Sequence, residues 1–315
     1  MKYVKLGKTS IVVSQFVFGT LTMGILQRNL AAEEGAQLIR QALEQGVTFL
    51  DTAQAYGTYN HLRKALDGFY GQVVIASKSG KQDYEGMAAA VEEARRKLNR
   101  DVIDVFLLHA VQQEDDLDRR RQGAWQCLLE MKEKGLVKAV GLSTHNLKIV
   151  EKVSEWPEVD VIHPIVNKLN FGLINEEKKN PVEVLRRTFE KAIGIYGMKP
   201  LAGGHLYQDA VSALRFAFDF PYLHAVAVGM VKAEELAVNL KIYNNEEVAS
   251  KELAAAAKNK RMYVIPFCKG CGACLPACDQ GAISMVSDKA SIEHTICILC
   301  GYCRRECPHS MIRII

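Results

Sequence analysis

Short apolar runs alternate with longer amphipathic stretches from the start of the chain to about residue 245. The runs are rich in β-branched and aromatic residues, and eight stand out: Val12–Phe18, Thr48–Leu50, Val73–Ala76, Val102–Leu108, Val137–Leu142, Val159–Val166, Ile195–Lys199 and Ala225–Val228. Helical periodicity marks stretches between them, for example Ala31–Gln45, Gly86–Leu98, Ala124–Lys134, Pro181–Ile193 and Lys232–Tyr243. A strand followed by a helix, repeated in this way, predicts parallel strands joined by helical crossovers.

The number of repeats selects among the parallel folds. Strands that are apolar along their whole length fit a sheet that is buried on both faces. Eight units favour a (β/α)8 TIM barrel, and the absence of a GxGxxG motif after the first run argues against a dinucleotide-binding doubly wound sheet. The opening Lys2–Val13, with Gly7-Lys8-Thr9 at its middle, predicts a hairpin before the barrel.

The composition changes abruptly around Pro266, where glycine, cysteine and proline become frequent. The preceding segment, Glu246–Lys260, is rich in alanine and lysine, which predicts a helix leading out of the barrel. We therefore expect two domains. Residues 1–260 would form the barrel with its exit helix, and residues 261–315 a small cysteine-rich domain.

Overall composition excludes several classes of protein. The 315 residues are 49% hydrophobic and 24% charged, which is typical of globular proteins. The net charge is +4 and no basic stripe is visible, so a nucleic-acid partner is not expected. No apolar run approaches the roughly 18 residues of a membrane span, and Met1–Lys8 lacks the apolar core of a signal peptide. We expect a cytoplasmic protein without a membrane partner.

Cysteine spacing gives the strongest chemical signal. Eight of the nine cysteines form two runs with the pattern Cys-x2-Cys-x2-Cys-x3-Cys: Cys268, Cys271, Cys274 and Cys278, then Cys297, Cys300, Cys303 and Cys307. Three thiolates at this spacing can surround one face of a cuboidal iron–sulfur cluster, with a fourth ligand from a distant turn. Zinc prefers paired CxxC units with a longer gap, and disulfides would need a secretion signal. The spacing predicts two 4Fe-4S clusters.

The duplicated motif resembles the bacterial two-cluster ferredoxins, which implies a small α+β domain of ferredoxin type for residues 261–315. That resemblance implies crossed ligation, in which each run supplies three ligands to one cluster and its fourth cysteine to the other. Cys307 would then complete the first cluster and Cys278 the second. One departure is Asp279, which stands where proline usually follows the fourth cysteine. Arg304 and Arg305 lie within the second run, either as solvated side chains or as charges that raise the potential of that cluster.

Polar residues mark the ends of three consecutive predicted strands. Asp51 directly follows the second run, Lys78 lies two residues after the third and His109 directly follows the fourth. Tyr56 follows Asp51 in the same loop. Catalytic groups of a TIM barrel gather where strands end and loops begin. Each residue alone could be a helix cap or a solvated charge, but their order places an acid, a tyrosine, a lysine and a histidine on one rim.

These residues resemble the catalytic tetrad of the aldo-keto reductases, and the resemblance extends over residues 1–245 and includes Gly141-Leu142-Ser143. It implies an oxidoreductase in which Tyr56 delivers a proton to a carbonyl that accepts a hydride. Lys78 would lower the pKa of Tyr56, Asp51 would hold Lys78, and His109 would orient the carbonyl oxygen.

The resemblance also implies a nicotinamide cofactor, NADPH or NADH. Its contacts would come from seven residues: Ser143, Asn167, Met198, Lys199, Gly229, Lys232 and Asn239. Four departures leave room for a flavin at the same rim. Thr144 replaces an asparagine, Val166 takes the place of a glutamine, and Met198 stands where an aromatic ring usually stacks on nicotinamide. Val231 stands where an arginine often binds the 2′-phosphate.

The fusion of the two parts leaves three hypotheses open. In the first, the enzyme acts on a small carbonyl or alcohol substrate, and the ferredoxin-like domain is a docking, structural or redox-sensing appendage. In the second, a flavin splits electron pairs, which nicotinamide cannot readily do, and the clusters exchange electrons with a ferredoxin or a flavoprotein. In the third, the clusters only stabilise the fold.

Overall fold

The computed structural model describes residues 1–174 and 180–315, and it consists of a closed barrel with a smaller domain at its rim. Eight parallel strands form the barrel: β3 (Phe16–Gly19), β4 (Phe49–Asp51), β5 (Val74–Ser79), β6 (Ile103–Leu108), β7 (Val137–Thr144), β8 (Val161–Pro164), β9 (Gly194–Gly197) and β10 (Ala225–Gly229). Two short strands precede it and pair antiparallel, β1 (Tyr3–Lys5) and β2 (Val12–Ser14). Pairing of β10 with β3 closes the barrel, which confirms the (β/α)8 prediction.

Helices surround the barrel strands. They are α1 (Ala32–Glu44), α2 (Tyr59–Leu66), α3 (Tyr84–Leu98), α4 (Glu114–Gln122), α5 (Ala124–Glu133), α6 (Leu147–Ser154), α7 (Pro181–Glu190), α8 (Ala210–Phe218), α9 (Ala233–Tyr243) and the exit helix α10 (Ser250–Ala257). Apolar side chains fill the layer between helices and strands, and a second apolar cluster fills the barrel interior, where Val17, Phe49 and Val105 are buried. None of the helices in the described parts of the chain is long and apolar enough to cross a membrane.

Two long apolar runs correspond to much shorter strands in the structure. The run Val12–Phe18 divides into β2 and β3 because the Ser14 hydroxyl is buried at the junction. It donates to the Phe16 carbonyl and accepts from the amide of Phe49, so the chain leaves the hairpin and enters the barrel there. The run Val159–Val166 keeps only Val161–Pro164 in β8.

The C-terminal domain contains two ribbons and one short helix. β11 (Met262–Val264) pairs antiparallel with β14 (Ile312–Ile314), and β12 (Ile283–Val286) pairs with β13 (Lys289–Ile292). The helix α11 spans Tyr302–Arg305. β14 lies against the turn Ala202–Gly204 that follows β9, so the domain sits on the rim where the barrel strands end.

Gly204 allows this close approach between the two domains. Its φ is +91°, and a Cβ at this position would lie 2.5 Å from the carbonyl oxygen of Ile314. We expect Gly204→Ala to loosen β14 from the barrel and to cost about 1–3 kcal/mol beyond the backbone strain. Faster hydrogen exchange in peptides covering β11 and β14 would show the effect. Gly281→Ala is the matched control, because Gly281 also has a positive φ, +64°, but no atom within 4 Å of its Cβ position. Equal exchange in the two variants would contradict the expectation.

Candidate active site and cysteine centres

The four residues of the predicted tetrad line one cavity of about 680 Å³ at the carboxyl ends of the barrel strands. Asp51 is the last residue of β4, Lys78 lies in β5, and His109 directly follows β6. Tyr56 ends a short 3-10 turn, Gln54–Tyr56, that follows β4. The cavity size is within the range of small-molecule and cofactor sites.

Lys78 and Asp51 form a buried ion pair at the floor of this cavity. The ammonium Nζ donates to Asp51 Oδ1 at 2.6 Å and to the carbonyl of Thr52 at 2.7 Å. Lys78 is 1% exposed, and burial lowers the pKa of its ammonium while Asp51 opposes that change. The carboxylate therefore holds Lys78 in position and favours its charged form.

Tyr56 lies between Lys78 and His109. The ammonium of Lys78 is 5.1 Å from the centroid of the Tyr56 ring, and the His109 ring meets that ring edge-on with centroids 5.5 Å apart. Burial, reinforced by Asp51, raises the pKa of Tyr56 well above 10. The sequence predicted that Lys78 would lower the pKa of Tyr56, but burial of the phenol has the larger effect and raises this pKa. Tyr56 thus holds its proton as a neutral phenol. Burial also lowers the pKa of His109 to about 3, so its ring is neutral.

Two residues that sequence reasoning missed extend this network. The Tyr196 hydroxyl, from β9, donates to Asp51 Oδ1 at 2.9 Å, so that carboxylate oxygen accepts from both Lys78 and Tyr196. His163, from β8, stacks on the Tyr196 ring with centroids 3.8 Å apart, and its Nδ1 donates to the Tyr196 carbonyl at 2.6 Å. Their only signal in the sequence was a polar atom inside an otherwise apolar strand.

Burial of His163 makes stability depend on pH. Burial lowers the pKa of its imidazole to about 4, below the usual value near 6.5. As pH falls, the imidazole of His163 therefore takes up a proton in the unfolded chain before it does so in the folded protein. Its contribution to the free energy of unfolding is highest above pH 6.5 and decreases as pH falls from 6.5 to 4. Between pH 7 and pH 5 we expect the native protein to lose about 2 kcal/mol more unfolding free energy than His163→Gln.

Urea unfolding at both pH values, at matched cluster content, measures this difference. His294→Gln, at an exposed histidine, should follow the native protein. A His163→Gln protein with the native pH dependence would show that this imidazole does not contribute.

The cavity extends from the tetrad toward β10 and α9. Of the residues predicted for the cofactor, five line it: Ser143, Met198, Lys199, Gly229 and Asn239. Ser143 Oγ accepts from the amide of Ala110 at 2.9 Å. A Cβ at Gly229 would lie 2.6 Å from Cγ2 of Thr22, so a larger residue here would displace the Thr22 side chain in this wall of the cavity.

Two predicted cofactor residues lie outside the lining of this cavity. The Asn167 side chain accepts from the amides of Leu169 and Phe171 and so closes a loop after β8. The Lys232 ammonium donates to the carbonyls of Ala255 and Lys258 at the end of α10, each at 2.8 Å.

Val166, the residue expected in place of a glutamine, also lies outside the lining of this cavity. Val166 is buried in the apolar layer around the barrel, and the β8 residue that lines the cavity is His163. The strand ends at Pro164, before Val166.

The C-terminal domain supplies part of the same cavity wall. Ile265, Phe267, Arg313, Ile314 and Ile315 all line it. The mouth of the barrel is therefore bounded by both domains, and anything bound at the tetrad lies close to the cysteine-rich part of the chain.

The eight cysteines of that part fall into two groups around two small cavities. One cavity is lined by Cys268, Cys271, Cys274 and Cys307, and the other by Cys278, Cys297, Cys300 and Cys303. Each group takes three cysteines from one run and the fourth from the other run. Burial is the main cause that raises the pKa of Cys274. The neighbouring thiols of its own group, Cys307, Cys268 and Cys271, raise it further.

The donor set and its surroundings fit iron–sulfur clusters. All eight thiols are free, and backbone amides of Ala282 and Met311 donate to Cys278 and Cys307 sulfur at 3.3 Å. Such bonds stabilise the charge of a thiolate-bound cluster. Four thiolates around one zinc ion would lie within about 3.8 Å of each other. Among residues 1–174 and 180–315, no group of three or more His, Cys, Asp or Glu side chains could hold a single metal ion.

The two arginines of the second cysteine run have different environments. Arg305 is exposed and contacts Glu306 and Tyr302, whereas Arg304 is 4% exposed. Nε and Nη1 of Arg304 have no hydrogen-bond partner among the described residues, and burial lowers the pKa of the guanidinium to about 10. A buried cation next to Cys303 stabilises negative charge on that side of the domain.

If Cys303 is a cluster ligand, as the spacing predicts, we expect Arg304→Gln to lower the midpoint potential of that cluster, because the reduced cluster carries more negative charge. The shift should be roughly tens of millivolts. An electron paramagnetic resonance titration under anaerobic conditions measures it, with Arg305→Gln as the exposed control. If the two variants shift the potential equally, burial of Arg304 has no special effect.

Two family models match separate parts of the chain. The model of the Aldo/keto reductase family matches residues 15–212, and that of the 4Fe-4S dicluster domain matches residues 267–312. Methylglyoxal reductase DkgA of Escherichia coli K12 is 25% identical over 58% of this chain and 68% of its own length. Protein REDOX 2 of Catharanthus roseus is 25% identical over 54% of this chain and 57% of its own length. The chain thus spans a little over half to two thirds of these relatives.

Solved structures share the barrel. A protein assigned to the aldo-keto reductases from Pseudomonas aeruginosa is 26% identical, with a TM-score of 0.65 over 77% of this chain and 94% of its own. The holo form of AKR11C1 from Bacillus halodurans is 18% identical, with a TM-score of 0.64 over 82% of this chain and 96% of its own. The second likeness is one of fold alone.

Proposed function

Because the chain belongs to the aldo/keto reductase family, we propose that it is an oxidoreductase that reduces small carbonyl compounds with NADPH or NADH and carries two 4Fe-4S clusters. The observation that carries this proposal is the shared cavity. Tyr56, His109 and the Lys78–Asp51 pair lie at one end, and Gly229 and Asn239 lie in the same lining toward α9. A reduced nicotinamide, when bound, supplies the hydride.

The chain's own residues handle the proton and the carbonyl oxygen. Tyr56 is a neutral phenol because burial raises its pKa, so it keeps its proton until the carbonyl oxygen becomes basic. Proton transfer from the Tyr56 hydroxyl then leaves a phenolate, which the nearby Lys78 ammonium stabilises. A neutral His109 ring can donate one hydrogen bond to the same oxygen and fix its position.

For the clusters we propose crossed ligation. Cys268, Cys271, Cys274 and Cys307 would hold the first cluster, and Cys278, Cys297, Cys300 and Cys303 the second. The grouping of the thiols around two cavities supports this assignment.

Anaerobic purification followed by cofactor extraction and an activity assay tests the main proposal. We expect the protein to bind NADPH or NADH and to consume it with a small carbonyl such as methylglyoxal, the substrate in the name of one relative. Failure to bind either nucleotide, in protein with full iron content, would overturn the proposal. If no flavin is found either, the clusters would be left with a structural role.

A second candidate is an electron-transfer protein in which the cavity holds a flavin. Two observations favour it. Ile265, Phe267 and Arg313 of the cluster domain line the cavity, and each cysteine group has one exposed member, Cys271 or Cys300. Electrons could thus pass between a ferredoxin or flavoprotein partner, the clusters and the cavity. Stoichiometric flavin in the extract would select this candidate over hydride transfer to a carbonyl.

A further inference from the structure

Arg313 belongs to β14 of the cluster domain, but its side chain faces the barrel cavity. It passes over Gly203, where a Cβ would lie 3.2 Å from Arg313 Cδ and 3.4 Å from Nη1. It lines the cavity together with Lys199, from the loop after β9. Burial lowers the pKa of both side chains, and the Arg313 charge lowers that of Lys199 further.

The charges that line the cavity are not balanced. The three side-chain carboxylates of its lining already have lysine partners: Asp51 pairs with Lys78, Asp209 with Lys168, and Glu235 with Lys260. Among the described residues, no carboxylate pairs with Arg313 or Lys199. Two like charges in an enclosed space are unfavourable unless an anion lies between them.

Lys199 is held in a costly conformation. Its φ is +58°, in the left-handed region that long side chains rarely adopt. Its Nζ lies 3.0 Å from Nε2 of His145, another residue of the cavity lining. Backbone strain of this kind persists where the surrounding structure enforces it, and such positions cluster at ligand sites.

We propose that Arg313 and Lys199 form an anion-binding subsite, built from both domains, for a carboxylate or phosphate group of the molecule that occupies the cavity. A guanidinium presents paired donors that match the two oxygens of an oxyanion, and the ammonium adds a point charge. The subsite extends the proposed function, because the anionic group belongs either to the substrate or to the nucleotide.

Calorimetric titration of the anaerobically purified, cluster-containing protein with inorganic pyrophosphate tests the subsite without any turnover. We expect Arg313→Gln to weaken binding at least tenfold, because a charge-assisted contact is lost. Arg313→Lys keeps the charge but not the paired donors, so it should weaken binding less than Arg313→Gln does. Arg305→Gln, at an exposed arginine of the same domain, should bind like the native protein. Equal affinity in Arg313→Gln and native protein at full iron content, or no binding to the native protein, would overturn the proposal.

Two further measurements identify the source of the anion. The first is the preference of the enzyme for pyruvate over its uncharged methyl ester, and the second is the dissociation constant of NADPH or NADH. Loss of the pyruvate preference in Arg313→Gln assigns the subsite to a substrate carboxylate, and weaker nucleotide binding assigns it to a phosphate. If neither changes, pyrophosphate binding is adventitious and the subsite is rejected. Arg313-dependent pyrophosphate binding in a protein that reduces no carbonyl would keep the subsite and reject the proposed function.

Discussion

Tyr56→Phe should reduce the rate of carbonyl reduction by about 10²–10⁴-fold, the usual contribution of a positioned general acid. The phenol is the proton donor in the proposed reaction, and its ring lies between Lys78 and His109 in the cavity. Phenylalanine keeps the ring and its packing but removes the proton. The Lys78–Asp51 pair, which bonds through the ammonium and not through Tyr56, should remain intact.

Steady-state turnover with methylglyoxal and the preferred nucleotide measures this effect. Tyr207→Phe is the matched control, since Tyr207 lines the same cavity and accepts a hydrogen bond from Gln208 at 3.1 Å. Its activity should stay within a few-fold of native, and both variants should keep native iron content and nucleotide affinity. Turnover at the native rate in Tyr56→Phe would contradict the assignment of this residue as proton donor.

Cys278→Ser should remove one cluster and leave the other. Under crossed ligation its thiol serves the group of Cys297, Cys300 and Cys303, although it lies in the first run of the sequence. We therefore expect the variant to bind about four iron atoms where the native protein binds about eight. The remaining spectroscopic signal should be that of the cluster held by the Cys268 group.

The choice of second variant makes this result decisive. Cys307→Ser should remove the other cluster, so the two single variants should show different residual signals. Cys127→Ala, at a buried thiol of α5, should keep all of the iron. If Cys278→Ser instead loses the cluster of its own run, the ligands are not crossed.

That the four tetrad residues lie on one rim could be predicted because each position can be identified from the sequence around it. Each residue stands at or just after the end of a strand, and eight repeats of strand and helix bring those ends to one rim. Tyr196 and His163 could not be found in the same way. Inside an apolar strand, a tyrosine or histidine gives the same pattern as an ordinary core residue, and only the closed barrel brings them near Asp51.

The cofactor contacts were harder to predict because they depend on where the exit helix lies. Lys232 follows β10 and was predicted to contact a phosphate of the cofactor. Its ammonium instead donates hydrogen bonds to the carbonyls at the end of α10. The role of β14 was also hidden. Arg313 stands between isoleucines, as an exposed residue of a short strand would, and its place at the cavity depends on contacts with Gly203 and Gly204 more than a hundred positions away.

The pairing of β11 with β14 makes the cluster-bearing segment separable. Val264 and Ile312 are direct partners in that ribbon, and all eight cluster cysteines lie between them. Partners in an antiparallel ribbon are about 5 Å apart, a gap that a two-residue hairpin turn spans. The segment is thus a cassette with adjoining ends. Replacing it with Asn-Gly would retain both strands and Arg313, and would give a metal-free version of the protein in which the barrel could be studied alone.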